Sequence, residues 1–143
     1  MVVFTEQDIT TKGRENDYIL GHACGNRVAV ITTKNINLRD ISITAIHEFM
    51  HTLGFDHCEE FVCLMNTNVY DEDGEDGCEI EVCPVDLLKL KSELKFDIKT
   101  RFENLKRTYK ELNWDRDYKL CDNLIEGLSQ NSGNLIKKKI KLK

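Results

Sequence analysis

The spacing of apolar residues changes twice along the chain. Met1-Val2-Val3-Phe4 is a short apolar run, and Arg27-Val28-Ala29-Val30-Ile31-Thr32-Thr33 is rich in β-branched residues after a turn-like Gly25-Asn26, so two strands are expected. Between them, Thr11 to Asn16 is polar around Gly13 and reads as a loop, while Tyr18-Ile19-Leu20-Gly21 reads as the start of another short strand. The period then becomes helical. Ile43, Ile46, Met50 and Leu53 fall on one face and Asp40 is a good N-cap, which predicts a helix from about Ile41 to Leu53 with that face in the core. Residues 58–84 lose periodicity and carry the acidic run Asp71-Glu72-Asp73-Gly74-Glu75-Asp76-Gly77, expected as an exposed loop. A calcium loop starting at Asp71 would need Gly at its sixth position and Glu at its twelfth, where Asp76 and Val82 stand. From Pro84 one long amphipathic helix is expected, its apolar stripe marked by Leu87, Leu94, Ile98, Phe102, Leu105, Tyr109 and Leu112.

This order of elements predicts an α/β (α+β) domain over residues 1–116, with a small twisted sheet, one central helix and a long C-terminal helix. From Asn113 on the chain reads as weakly ordered, and residues 117–143 form a basic tail containing Lys137, Lys138, Lys139, Lys141 and Lys143. The tail reads first as a frayed charged end, and second as a nuclear-localisation or anionic-surface patch.

Composition narrows the class. A chain of 143 residues with 41% hydrophobic and 31% charged content is an ordinary globular domain, expected as a monomer. Its net charge of −5 gives no general attraction to nucleic acid, and no stretch is apolar enough to span a membrane. The N-terminus lacks a basic region followed by a long apolar one, so an intracellular, cytoplasmic location is expected, with the nucleus as the alternative implied by the tail. In that compartment six cysteines point to metal ligands or buried thiols rather than disulfides. Cys58, Cys63, Cys78 and Cys83 cluster in sequence; Cys24 and Cys121 stand alone and read as small buried hydrophobes.

The residues with the clearest chemistry are His47-Glu48-Phe49-Met50-His51-Thr52-Leu53-Gly54-Phe55-Asp56-His57. His47 and His51, four apart, share one face of a helix and can aim imidazole nitrogens at one ion. Glu48 is turned about 100° from His47 around the helix, placed to reach a water without ligating the metal. Gly54 lets the chain leave the helix in a left-handed conformation, and His57 returns toward the ion. Two histidines four apart are often only a solvated face, but the added Gly54 and His57 are hard to obtain by chance in a chain with four histidines. Three imidazoles leave one ligand position open, the mark of a catalytic rather than a structural zinc. His22 lies outside this set and reads as a partly exposed or core histidine.

The stretch His47 to Asp86 resembles the archaemetzincins, a branch of the metzincin zinc peptidases. After the third histidine their pattern runs Cys, four residues, Cys, one residue, Met, seventeen residues, Cys, two residues, Cys; here Cys58, Cys63, Met65 and Cys83 occupy these places and Asp86 stands at the last. The resemblance extends over about residues 1–112. It implies a metzincin-like fold and a second, structural Zn2+ held by Cys58, Cys63, Cys83 and Asp86, with Cys78 as the alternative fourth ligand and weaker binding than an all-cysteine set. It implies Met65 as a hydrophobic floor near the histidines. It also implies that the stretch Gly21 to Thr33 supplies an edge strand above a cleft, where an extended peptide would pair. Family members carry a further strand-helix-strand portion before the point matching Met1, so a shortened, incomplete sheet is expected. The activity implied is hydrolysis of a peptide bond by a metal-activated water with Glu48 as general base, on a peptide or protein substrate. The alternative is a catalytically inactive, zinc-stabilised binding or scaffold protein. Retention of Glu48 favours the enzyme, while the missing front portion and Asp86 favour the scaffold.

Overall fold

The computed structural model describes residues 1–66 and 79–140. Its class is α+β: the described residues form four helices, a three-stranded mixed sheet and a separate two-stranded antiparallel sheet. The strands are β1 (Val2–Thr5), β2 (Ile9–Thr11), β3 (Arg14–Ile19), β4 (Gly21–Cys24) and β5 (Val28–Thr32), and the helices α1 (Leu38–Thr52), α2 (Pro84–Leu94), α3 (Ile98–Glu111) and α4 (Asp115–Ile140). Two compact units divide at Leu87 and Leu88. None of the described helices is long and apolar enough to cross a membrane.

In the first unit β5 is the central strand. It pairs in parallel with β1, Phe4 opposite Ile31, and antiparallel with β4, Ala23 opposite Ala29. The edges are therefore β1 and β4, and the β-branched run around Val30 lies in the middle of the sheet. Ala29 and Ile31 are fully buried, as expected for alternate positions of a strand with one covered face. Residues 11–16, expected as a loop, instead belong to a two-stranded hairpin of β2 and β3 whose turn places Gly13 at φ 86°. Apart from Ile9 opposite Ile19 and the exposed Tyr18, its strand positions are polar, so no apolar alternation marks it in the sequence.

Helix α1 starts three residues before the expected position. Asn37, not Asp40, is the N-cap: its side-chain oxygen accepts from the Asp40 backbone N–H at 2.9 Å, and its amide donates to the Asp40 carboxylate at 2.7 Å. Asp40 instead adds negative charge to the first turn. Replacing Asn37 by Ala should cost about 1 kcal/mol, read as a lowered thermal midpoint. The buried stripe is narrower than the periodicity suggests, since Ile43 and Met50 are buried while Ile46 and Leu53 are exposed. The helix ends in a Schellman motif, with Gly54 N–H to His51 C=O at 3.0 Å and Phe55 N–H to Met50 C=O at 3.1 Å, and Gly54 at φ 86°.

The long helix expected from Pro84 to Leu112 is two helices. Lys95 takes a left-handed φ of 54°, and Asp97 then caps α3 by accepting from the Thr100 N–H at 2.8 Å. In the second unit α3 packs on α4, burying Phe102, Tyr109 and Cys121, with Trp114 stacked on Tyr109 at 5.8 Å. Residues 115–140, expected as weakly ordered, form α4, and the buried Asp117 and Cys121 are part of this packing. Tyr118, Leu120, Cys121, Leu124, Ile125 and Leu128 recur at helical spacing, a signal of the helix that reading this stretch as a charged tail passes over.

Candidate functional site

Helix α1, the turn after it and the segment Cys58 to Asn66 build the site. The Schellman turn reverses the chain, and His57 joins His47 and His51, whose ligand-capable nitrogens all lie within 4.8 Å of one another. Their orientation follows from backbone groups. His47 Nδ1 lies 2.7 Å from the Leu64 carbonyl oxygen, and His51 Nδ1 lies 2.7 Å from that of Phe55. A carbonyl can only accept, so each Nδ1 carries the proton and each Nε2 presents a lone pair. Those atoms converge: His51 Nε2 is 3.0 Å from His47 Nε2 and 3.2 Å from His57 Nε2. Three nitrogens at zinc distance with tetrahedral angles would be about 3.3 Å apart, so this donor set fits a zinc ion.

Electrostatics favours neutral imidazoles. Burial lowers the pKa of His47, partly offset by the Leu64 carbonyl, and burial followed by the charges of His51 and His47 lowers that of His57. Neutral imidazole is the form that ligates metal. Glu48 moves the other way: burial raises its pKa, against the opposing influence of His51, His22 and the Ala23 N–H that it accepts.

The edge strand closes one side. His22, Ala23, Gly25 and Asn26 line an open cleft with Glu48, His51 and His57. Gly21 makes the approach of β4 to α1 possible, because a Cβ there would fall 2.7 Å from both Glu48 Cγ and Thr44 Cγ2. The expected edge strand above the cleft is thus β4 and the turn after it. His22 lies at the cleft rim and Cys24 is exposed on β4, so the expectation that Cys24 is a buried small hydrophobe is corrected; Cys121 is buried.

A second cluster follows. Cys58, Cys63 and Cys83 bring their sulfurs within 4.8 Å of one another, with Cys63 and Cys83 buried. Burial would raise the Cys58 pKa, but hydrogen bonds from the Phe61 and Glu60 N–H groups and from the neighbouring thiols bring it below the usual value. Burial raises the Cys63 pKa, and burial with the nearby Asp86 pushes Cys83 up to about 11. Three sulfurs so placed fit a thiolate-binding ion such as zinc, which holds thiols deprotonated. Asp86 is buried next to Cys83: its N–H reaches the Cys83 sulfur at 3.4 Å and its carboxylate accepts from the Cys83 thiol, but its oxygens are not among the atoms grouped with the three sulfurs. Cys78, the alternative fourth ligand, and the acidic run Asp71 to Gly77 lie outside the described residues.

Met65 is fully buried, and its carbonyl accepts from the Cys58 N–H at 2.7 Å. Met65→Ala should lower stability by about 2–5 kcal/mol, measured by denaturant unfolding, because a large buried side chain leaves a cavity. The groups sequence reading missed are mostly backbone: the carbonyls of Leu64 and Phe55, the N–H of Ala23, and the bare α-carbon of Gly21. Only Gly21 left a trace, as a glycine at the start of a strand.

Fold and site together define an α+β protein whose first helix carries a His-Glu-x-x-His pair completed by a third histidine beyond a glycine turn. No protein-family model matches the chain. Archaemetzincin-2 of Rattus norvegicus and archaemetzincin-2 of Mus musculus are each 39% identical to it over 62 residues, 43% of this chain and 17% of theirs. The crystal structure of an archaemetzincin from Methanopyrus kandleri overlaps 66% of this chain and 56% of its own at 22% identity, with a TM-score of 0.48. Over the matched segment the chain is similar to these archaemetzincins, and it spans about a sixth of the curated relatives' length.

Proposed function

We propose that this chain is a zinc-dependent peptidase acting on peptide or protein substrates, with Glu48 as the general base. The observation that carries the reading is the convergence of three Nε2 atoms, two of them oriented by backbone carbonyls, beside a half-buried carboxylate in an open cleft. His47, His51 and His57 would hold one zinc, and Cys58, Cys63 and Cys83 a second, its fourth ligand being either the Asp86 carboxylate or Cys78. Zinc at the histidines supplies Lewis acidity toward a peptide carbonyl and toward water.

The protein's own groups do the rest. Glu48 takes a proton from the attacking water and delivers it to the leaving amine; a carboxylate made more basic by burial is suited to both steps. Edge strand β4 offers main-chain groups to an extended substrate, aligning it along the cleft. Cys58, Cys63 and Cys83 hold the segment behind the histidines in one shape.

The test is cleavage of a fluorogenic peptide library by the full chain purified without chelator, followed by metal removal and zinc restoration. Cleavage that is lost on removal and regained with zinc supports the reading. Two zinc ions per chain with no cleavage of any library member would overturn it in favour of a zinc-stabilised scaffold.

A further inference from the structure

The two clusters are joined by the shortest possible connections. His57 and Cys58 are consecutive in the chain, so the backbone that places one places the other. His47 is tied through its Nδ1 to the carbonyl of Leu64, which directly follows Cys63. Leu64 is itself held from the far side: its N–H donates to the Glu81 carbonyl at 2.8 Å, two residues before Cys83. Further backbone bonds brace this segment, Cys58 N–H to Met65 C=O at 2.7 Å and Asn66 N–H to Cys63 C=O at 2.9 Å, with Cys63, Leu64, Met65, Ile80, Glu81 and Cys83 all buried. Two of the three histidines therefore depend on the segment that the thiols pin. His51 does not, because its Nδ1 is satisfied within the α1 turn, at Phe55.

Resting on the reading of both clusters as zinc sites, we propose that the thiol cluster is a positioning device for the histidine site, so that filling either site raises the affinity of the other. Cys58 and Cys63 are near neighbours in the chain, but Cys83 follows later, and without a metal to gather them it must be held beside the other two against the entropy of loop closure. Gathering them fixes Leu64, and a fixed Leu64 carbonyl holds the His47 ring in the tautomer and direction that ligation needs. The coupling acts on binding free energy, so it is reciprocal.

The experiment is cobalt titration of the full chain. Visible absorption reports the histidine site, the thiolate charge-transfer band reports the cysteine site, and proton NMR follows the two imidazole Nδ1–H signals. Cys83→Ser should weaken cobalt binding at the histidines about tenfold, inside the usual range of site–site coupling. It should also speed solvent exchange of the His47 Nδ1–H while leaving that of His51 unchanged. In the reverse direction, His51→Ala should weaken the cysteine site by the same factor. Should Cys83→Ser fail to fold, His51→Ala decides alone: a weakened cysteine site supports the proposal and an unchanged one overturns it. Histidine-site affinity unchanged within twofold in a folded Cys83→Ser chain overturns the coupling, as does equal acceleration of both Nδ1–H signals, which marks general loosening. A wild-type chain that binds no cobalt at its histidines overturns the coupling and the zinc reading together, whereas independent binding at both sites leaves the peptidase reading intact.

Discussion

Glu48→Gln is expected to lower kcat by about 10²–10⁴-fold, the usual contribution of a positioned general base, while zinc per chain stays at the wild-type level. The substitution keeps the side chain's length and its ability to accept the Ala23 N–H, so the packing of α1 against β4 is preserved. What it removes is the site where water's proton can go. None of the groups that orient the histidines involves Glu48: His47 is held by the Leu64 carbonyl and His51 by that of Phe55. Metal content and rate should therefore separate, and zinc analysis on the sample used for kinetics checks both at once. A Gln variant within tenfold of wild type would remove Glu48 from the chemistry. A parallel loss of zinc would instead show that the carboxylate supports the ligands.

Much of this site was legible because it is local. Four of its side chains, His47, Glu48, His51 and His57, lie within eleven consecutive residues, and the 3.6-residue period with one glycine turn is enough to bring them together. Spacing showed four clustered cysteines, and only the resemblance to the archaemetzincin pattern set Cys58, Cys63 and Cys83 apart from Cys78. What the chain's pattern could not show is what depends on pairing across distance. Leu64 orients His47 through its backbone oxygen, and any residue has one, so nothing in its identity marks the role. Which strand forms the edge depends on β1 pairing with β5 from the far end of the unit, so the β-branched run came out central. The break between α2 and α3 was hidden for another reason: the apolar stripe continues in register across it, while Lys95, a residue with no preference for positive φ, makes the turn. Asp97 was the visible sign, a helix cap in the middle of an expected helix.

Gly21 shows how a residue with no side chain can govern the chemistry. A methyl group at this position would lie 2.7 Å from Glu48 Cγ and 2.7 Å from Thr44 Cγ2, well inside the roughly 3.5–4.0 Å at which carbon atoms pack. Thr44 is β-branched and sits within helix α1, so its methyl has little freedom to swing away. Relief must come from Glu48 or from separation of strand and helix, and either moves the carboxylate from the Ala23 N–H. Gly21→Ala should then cost about 1–3 kcal/mol of stability through overpacking, and a displacement of about 1 Å at the base should reduce kcat on the order of 10²-fold. The histidines are oriented from the other side by Leu64 and Phe55, so zinc content should hold. Trimming the obstructing methyl provides the control: Thr44→Ala in the Gly21→Ala background should recover part of the lost rate, because one of the two contacts is gone. Rescue without any change in zinc would tie the effect to crowding of Glu48 by β4. Full activity in Gly21→Ala alone would mean that strand and helix separate at no cost to the carboxylate, and that its position is set by something other than the edge strand.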